Sequence, residues 1–210
     1  MPAFLSRILS YFLGFALVLP SLIIHEMAHG YAALACGDPT AKYARRLTFN
    51  PLRHIDPLGS IAVPAFLILV GAAPLGWAKP VPINLGYTRN PRQALWITAA
   101  AGPASNFVLA VLGALLCRLL YSLGLVWWGN VVLQYVFFVN LVLMVFNLFP
   151  IPPLDGSRIV TAMLPRDIAW EYMRLERYGF FILIALLNWV PAFRNAINSV
   201  VLFLARLLLP

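Results

Sequence analysis

The residues best suited to chemistry in this sequence form the pentad His25-Glu26-Met27-Ala28-His29, an H-E-x-x-H pattern. On a helix, side chains four residues apart lie on one face, so both imidazoles can bind the same metal ion. Neutral imidazole is a good zinc ligand. Glu26, beside the first histidine, is placed to act on a metal-bound water rather than to bind the metal. The pattern therefore predicts a hydrolytic zinc centre.

A catalytic zinc ion usually has three protein ligands and one open position. The best candidate for the third ligand is Asp155, which follows Pro150, Pro152 and Pro153. Because prolines deny a helix its next turns, irregular backbone presents this carboxylate. The alternative is that Asp155 caps the helix that follows it. Beside an H-E-x-x-H pattern, we favour the ligand.

Four further residues are weaker candidates. His54 is a rival third ligand, but it sits in a basic loop, where a solvated side chain is expected. Cys36 is seven residues beyond His29, about two helical turns away, which is too far to share an ion. Asn106 and Asn147 are candidates for binding the oxyanion or the substrate backbone. Ordinary hydrogen bonding between helices is an equally good explanation for both asparagines.

The elements that position these residues must be apolar helices. The chain has 210 residues, of which 62% are hydrophobic and 10% charged, whereas soluble domains are about 45–50% apolar and about 25% charged. This excludes a soluble globule, a disordered chain and a disulfide scaffold. We expect an all-α polytopic membrane protein with about five to six transmembrane helices. It would form one domain over residues 1–210, with core motifs in 10–160 and C-terminal helices in 178–209.

The carboxylates point to the same site. Of seven Asp and Glu residues, Glu26 and Asp155 lie within or against long apolar runs. An ionisable group at membrane depth is costly and marks a functional site by default. We assign the other five carboxylates to loops or surface segments.

Two segments decide the topology. One long helix is predicted from Phe4 through Ala35, with Pro20 as a possible kink. Residues 58–75 are apolar but interrupted by prolines, so they form either a full span or a re-entrant segment. If they are re-entrant, the loops 37–57, 76–93 and 156–177 share one face and carry four, three and four of the fifteen Lys and Arg residues. If residues 58–75 cross fully, the loops 37–57 and 76–93 lie on opposite faces, and the difference in Lys and Arg content between the faces nearly disappears.

We favour the re-entrant alternative because positive residues collect on the cytoplasmic side of membrane proteins. It places a multi-pass protein in the cell membrane with its active site toward the basic, cytoplasmic face. The net charge of +8 then indicates attraction to the headgroups of the lipid bilayer, and nucleic acid is not an expected partner. The short extended loop 79–86 is either an edge to which a substrate strand adds or a plain surface loop.

The sequence resembles the site-2 protease family of intramembrane zinc metalloproteases, most of all its short prokaryotic members without PDZ or CBS domains. The resemblance spans roughly residues 10–160. It is carried by four stretches: His25 to His29, Gly76-Trp77-Ala78-Lys79-Pro80-Val81-Pro82, Gly102-Pro103-Ala104-Ser105-Asn106, and Asn147 through Gly156.

The resemblance implies that His25, His29 and Asp155 hold one zinc ion per chain and that Glu26 is the catalytic base. The implied enzyme is a zinc metalloendopeptidase that cleaves peptide bonds in or near transmembrane segments of membrane-protein substrates. Two other functions remain as alternatives. A zinc-binding transporter or sensor would need a polar pathway with several sites, and the intramembrane ionisable residues concentrate at one place. An inactive protease-like scaffold would not need Glu26.

Overall fold

The structure is a computed structural model that describes residues 2–72 and 74–209, without the side chains of residues 2–5 and 7. The described part of the chain is helical and contains no strand. The helices, in chain order, are α1 (Pro2–Ala35), α2 (Thr40–Tyr43), α3 (Pro57–Leu69), α4 (Pro91–Ser122), α5 (Val126–Asn147), α6 (Asp155–Met163), α7 (Arg166–Met173), α8 (Glu176–Trp189) and α9 (Pro191–Leu208). The predicted all-α class is confirmed.

Three helices are long and apolar enough to cross a bilayer by length and composition, namely Ile8–Ala35 within α1, α4 and α5. A fourth crossing exists if α8 and α9, which are bent by 85° at the break between them, count as one span. The chain is therefore a multi-pass membrane protein. The expected number of five to six spans is not confirmed, because the remaining apolar helices are shorter than the roughly 20 residues that a span requires.

The centre of the fold is α4, which packs against α1, α5 and α6. Small side chains such as Ala110 and Ala114 let it approach Phe137 and Leu141 of α5, all of them buried. Close packing of this kind is what holds helices together in lipid, where apolar surface gives little driving force. The prediction of one unbroken helix through Ala35 is confirmed, with Pro20 inside it.

The segment around α3 turns back on itself. At about 1.5 Å per residue, α3 is roughly 20 Å long and falls short of the 30 Å hydrocarbon core. After it, the Trp77 N–H donates to the Gly59 carbonyl at 3.2 Å, and the Lys79 N–H donates to the His54 carbonyl at 2.7 Å. The two ends of the segment therefore lie side by side, as they do in a hairpin.

The loop predicted over residues 79–86 is confirmed as a loop as far as residue 84, and we call residues 74–84 the extended segment. The backbone over residues 74–84 is neither helix nor strand, and a short turn, Leu85–Tyr87, follows it. Within the described ranges no second strand lies beside it. The prolines at positions 80 and 82 suit an unpaired edge, since they offer no N–H to a neighbouring strand.

Asp38 lies in the loop between α1 and α2, which agrees with its assignment to a loop. Its side chain is fully buried, accepting hydrogen bonds from the Thr40 N–H at 2.9 Å, the Thr40 hydroxyl and the Asn84 N–H at 2.6 Å. The polar local sequence is typical of a surface loop. It gives no sign that Asn84, distant along the chain, packs over the carboxylate.

Candidate metal centre

The H-E-x-x-H pentad is helical, as its spacing requires, and α1 continues for six residues beyond His29 to Ala35. The side chains of His25 and His29 are both buried. Their rings meet edge to face with centroids 4.6 Å apart, and the two Nε2 atoms are 3.0 Å from one another. One turn of helix has therefore brought two potential ligand atoms to one point.

Asp155 reaches the same point from α6. Its Oδ2 lies 3.1 Å from Nε2 of His25 and 3.2 Å from Nε2 of His29. The capping alternative is wrong, because the N-cap residue of α6 is Leu154 and no side chain caps the helix. Gly156 permits this placement, since a Cβ there would lie 2.2 Å from the carbonyl oxygen of Leu148.

The other ring nitrogen of each histidine is held by α4. Nδ1 of His25 lies 2.5 Å from Oδ1 of Asn106, and Nδ1 of His29 lies 2.6 Å from the Thr98 carbonyl oxygen. Both acceptors require the Nδ1–H tautomer, which leaves the Nε2 lone pairs free for a metal. Between them, Gly102 passes so close that a Cβ would lie 2.4 Å from Nε2 of His29.

The three converging side chains suit a zinc ion. Their ligand atoms lie within 4.8 Å of one another, and Oδ2 of Asp155 is buried without a hydrogen-bond partner in the described structure. Two ligands held about 2.0–2.1 Å from a tetrahedral ion lie roughly 3.3 Å apart, close to the separations observed here. Lone pairs that face each other in a buried site repel unless a cation lies between them. The donor set of two imidazoles and one carboxylate is that of a catalytic zinc site.

Glu26 lines the same cavity as this cluster. Its Oε2 accepts a hydrogen bond of 2.9 Å from the Val81 N–H. The carboxylate, the two histidines and Asp155 all line one cavity of about 440 Å³. Its other walls come from α5, α6, α8 and the extended segment, through residues such as Asn147, Arg158, Phe180 and Trp77.

Two contacts close the cavity on the side of α8. Trp77 meets Phe180 edge to face with ring centroids 4.9 Å apart, and Arg158 pairs with Glu176 at 3.6 Å. Both links are made by side chains that line the cavity. Helix α8 therefore completes its wall.

The two asparagines have different places. Asn106 is fully buried behind His25, and its Nδ2 donates to Oδ1 of Asn140 at 2.8 Å. Asn140 in turn donates to the Ser21 hydroxyl. Asn147 instead lines the cavity and donates to the Leu143 carbonyl of its own helix. A role in binding the oxyanion or substrate stays a prediction for both.

His54 is separate from the cluster. It is fully buried, with its Nε2 2.8 Å from the Thr48 carbonyl oxygen, so the expectation of a solvated side chain is wrong. It is not among the described side chains that converge at His25, and neither is Cys36. The reason for its burial is tertiary, because the hairpin around α3 folds over it.

Sequence reasoning missed four parts of the site. The Thr98 carbonyl and the Val81 N–H are backbone groups, which side-chain patterns do not reveal. Gly102 had a signal in its Gly-Pro-Ala-Ser-Asn motif, although the motif does not say that the glycine faces two imidazoles. Arg46, buried behind the extended segment, looked like one basic loop residue among several.

A multi-pass helical protein with two histidines, a carboxylate and an adjacent glutamate around one cavity falls in the class of integral-membrane zinc metalloproteases. Comparison with known proteins agrees. The model of Peptidase family M50 matches residues 124–189, a stretch that contains Asp155. No solved structure matches the chain.

Several curated proteins are similar over most of the chain. The Bacillus subtilis (strain 168) protein named "Putative zinc metalloprotease YwhC" is 40% identical over 176 residues, which cover 79% of this chain and 75% of that protein. The Mycolicibacterium smegmatis protein named "Putative zinc metalloprotease Rip2" is 32% identical over 186 residues, covering 86% of this chain and 70% of that protein. This chain belongs to peptidase family M50, the site-2 protease family, and is a zinc metalloprotease.

Proposed function

We propose that the chain is an intramembrane protease that cleaves membrane-protein substrates in or near their transmembrane segments. It would use one zinc ion held by His25, His29 and Asp155. The observation that carries the proposal is the shared cavity of about 440 Å³. It joins the three ligand atoms to Glu26 within an apolar helix, α1.

Zinc bound at this site would lower the pKa of water and polarise a substrate carbonyl. Glu26 would take a proton from the water while the water oxygen attacks the carbonyl carbon. Glu26 would then deliver that proton to the leaving amine. The Val81 N–H orients the carboxylate for both transfers. Asn147, which lines the same cavity, would hold the substrate backbone.

The substrate would bind in an extended form. A peptide bond inside an intact helix is shielded, so the segment must unwind before attack, and its freed backbone groups then need partners. In an extended strand, the peptide groups of successive residues point to opposite edges, and those of residues two apart share one edge. Trp77, Lys79 and Val81 use one edge to bind the protein's own groups, so the peptide group of Ala78 would face the substrate.

The active site would open toward the cytoplasmic face of the cell membrane. The observation that supports this orientation is the hairpin around α3, whose ends meet where Lys79 donates to His54. The basic loops before and after the hairpin then share one face. The polar segment after Asp155 carries further basic residues, and positive charge collects in cytoplasmic loops.

The test is cleavage in reconstituted lipid vesicles. The substrates are two single-span peptides that differ only in a Gly-Pro pair within the apolar segment. We expect zinc-dependent cleavage that is faster for the peptide with the helix-breaking pair. Glu26→Gln should keep its zinc but lose roughly 10²–10⁴-fold in rate. Cleavage by Glu26→Gln at the wild-type rate would refute the role of Glu26, and zinc uptake without cleavage would favour a transporter.

A further inference from the structure

Arg46 is a buried cation without a buried anion beside it. Its side chain is only 8% exposed, and among the described residues no carboxylate lies within ion-pair distance of it. One guanidinium nitrogen donates to the Lys79 carbonyl at 2.6 Å, while Nε is buried with no partner in the described structure. Burying an arginine in this way is costly, so the contact with Lys79 calls for an explanation.

The contact fixes the extended segment two residues before it reaches Glu26. The Lys79 N–H donates to the His54 carbonyl at 2.7 Å, and its carbonyl accepts from Arg46. Both peptide groups that flank this residue are therefore held. In an extended strand, residues two apart present their peptide groups to the same edge. The next group on that edge is the Val81 N–H, which donates to Oε2 of Glu26.

The Val81 N–H is the one backbone donor within residues 80–82. Pro80 and Pro82 have no N–H, and their rings fix φ near −65°. Val81 lies between them and is itself buried. A rigid segment with one donor transmits a displacement at Lys79 directly to the hydrogen bond on Glu26.

We propose that Arg46 is a positioning residue for the general base: by holding the Lys79 carbonyl, it aims the Val81 N–H at the Glu26 carboxylate. This proposal rests on the proposed function of Glu26. Arg46 does not touch the reacting groups, because it is not among the residues that line the cavity. Its influence passes through the backbone of the extended segment.

The electrostatics agree with this placement. Burial lowers the pKa of the Arg46 guanidinium, the charge of Glu26 opposes this by raising it, and the positive charge of Arg53 lowers it further. The Glu26 carboxylate and the buried Arg46 guanidinium therefore interact through their charges, although they form no direct ion pair. A fixed positive charge behind Val81 strengthens the polarity of an N–H that points at an anion.

Hydrogen exchange tests the link without any need for turnover. In zinc-loaded protein in detergent, a fragment over residues 78–82 reports the Val81 amide alone, because its first two residues lose their label and the two prolines carry no N–H. Arg46→Ala should accelerate exchange of this amide on the order of tenfold or more, since a protecting hydrogen bond is released. Lys42→Ala is the matched control, because it removes an exposed charge from the same basic loop, and the side chain of Lys42 makes no hydrogen bond with Lys79. Unchanged exchange in Arg46→Ala would overturn the proposal.

Kinetics distinguish positioning from general support of the fold. Arg46→Ala should lower kcat about 10–100-fold, as expected for a misplaced catalytic group. Its KM should stay within about twofold of the wild-type value, since binding of substrate is not affected. Zinc content should match that of wild type, and Arg46→Gln, which keeps an N–H donor without the charge, should recover part of kcat. A raised KM with unchanged kcat would overturn the proposal.

Two further variants keep the test decisive. If Arg46→Ala does not fold, Arg46→Lys is used in its place. The compact ammonium group cannot reproduce the guanidinium contact in full, so the exchange rate of the Val81 amide and kcat should both lie between the wild-type values and those expected for Arg46→Ala. Wild-type values of both would overturn the proposal. Glu26→Ala should also accelerate exchange of the Val81 amide. If wild type itself fails to cleave while both exchange effects appear, the proposed function fails and the hydrogen-bonded link stands.

Discussion

Oδ1 of Asn106 lies 2.5 Å from Nδ1 of His25, so a residue of α4 sets the ring orientation of a potential metal ligand on α1. The amide of Asn106 is itself held by Asn140, which is held by Ser21 of α1. This chain of hydrogen bonds begins and ends on the same helix. It lets a buried polar network, enclosed by apolar surface, keep one imidazole in one tautomer.

We therefore expect Asn106→Leu to weaken zinc binding. Loss of the partner of a ligating histidine typically costs about 10–100-fold in metal affinity. Competition with a chromophoric chelator measures the change. Asn147→Ala is the matched control, because that asparagine lines the cavity without contacting a histidine, and it should bind zinc as wild type does. Equal zinc affinity for Asn106→Leu and wild type would contradict this role.

Gly102→Ala should abolish zinc binding with little change in the helix that carries it. The added methyl group would lie 2.4 Å from Nε2 of His29 and 2.6 Å from Cε1 of His25, so it would displace the ligand atoms. Helical alanine is favoured over glycine by roughly 1 kcal/mol, so α4 should remain intact.

The control for this substitution is Gly14→Ala. It lies in α1, and a Cβ there meets no atom within 4 Å. We expect its zinc content to equal that of wild type, with equal or higher thermal stability. Zinc content by elemental analysis and helicity by circular dichroism check both variants. Stoichiometric zinc in Gly102→Ala would show that the imidazoles can move aside.

The parts of the site that the sequence predicted are those that depend on spacing along one helix. His25 and His29 converge because four residues make about one turn. Asp155 was predicted from the prolines before it, and the structure brings it to the two histidines. The burial of His54 and Asp38 could not be predicted in the same way, because it depends on which segments fold over these residues.

The number of spans was also beyond sequence reasoning. Residues 58–75 and the two C-terminal helices are apolar enough to suggest crossings. Whether an apolar segment crosses the bilayer, however, depends on the length of its helix and on its tertiary contacts. The hydrogen bond from Trp77 to Gly59 turns the first of these segments into a hairpin. The bend of 85° between α8 and α9 leaves at most one crossing in the second.

Removal of zinc should lower the thermal stability of the protein. The repulsion among three lone pairs is relieved only when a cation is bound, and a ligand at 1,000 times its Kd adds about 4 kcal/mol to the free energy of unfolding. We expect a chelator to lower the Tm of wild type in detergent, and added zinc to restore it. Asp155→Ala should show almost no zinc-dependent shift. A Tm of wild type that does not respond to chelation would contradict a zinc site here.

Asp38 should make the free energy of unfolding of the zinc-free protein depend on pH in the acidic range. Burial alone raises the pKa of this carboxyl group, but hydrogen bonds from Thr40 and Asn84 outweigh burial and hold the pKa below its usual value. A group whose pKa is lowered on folding stabilises the fold fully above its unfolded value of about 4, and that contribution is lost as the pH falls through the folded value. Asp38→Asn should therefore reduce the free energy of unfolding by about 1–3 kcal/mol at pH 7.

The deficit of Asp38→Asn should shrink as the pH falls below about 4, because the unfolded wild-type chain takes up a proton there while the folded carboxylate stays ionised to lower pH. Unfolding measured from pH 3 to pH 7 in detergent with chelator isolates this effect from acid release of zinc. Asp167→Asn, at an exposed position in α7, should show no such dependence. Since Asp38 anchors Asn84 at one end of the extended segment, its protonation should also loosen the segment that positions Glu26. A deficit that stays constant across this range would mean that Asp38 stabilises the fold by packing and not by its charge.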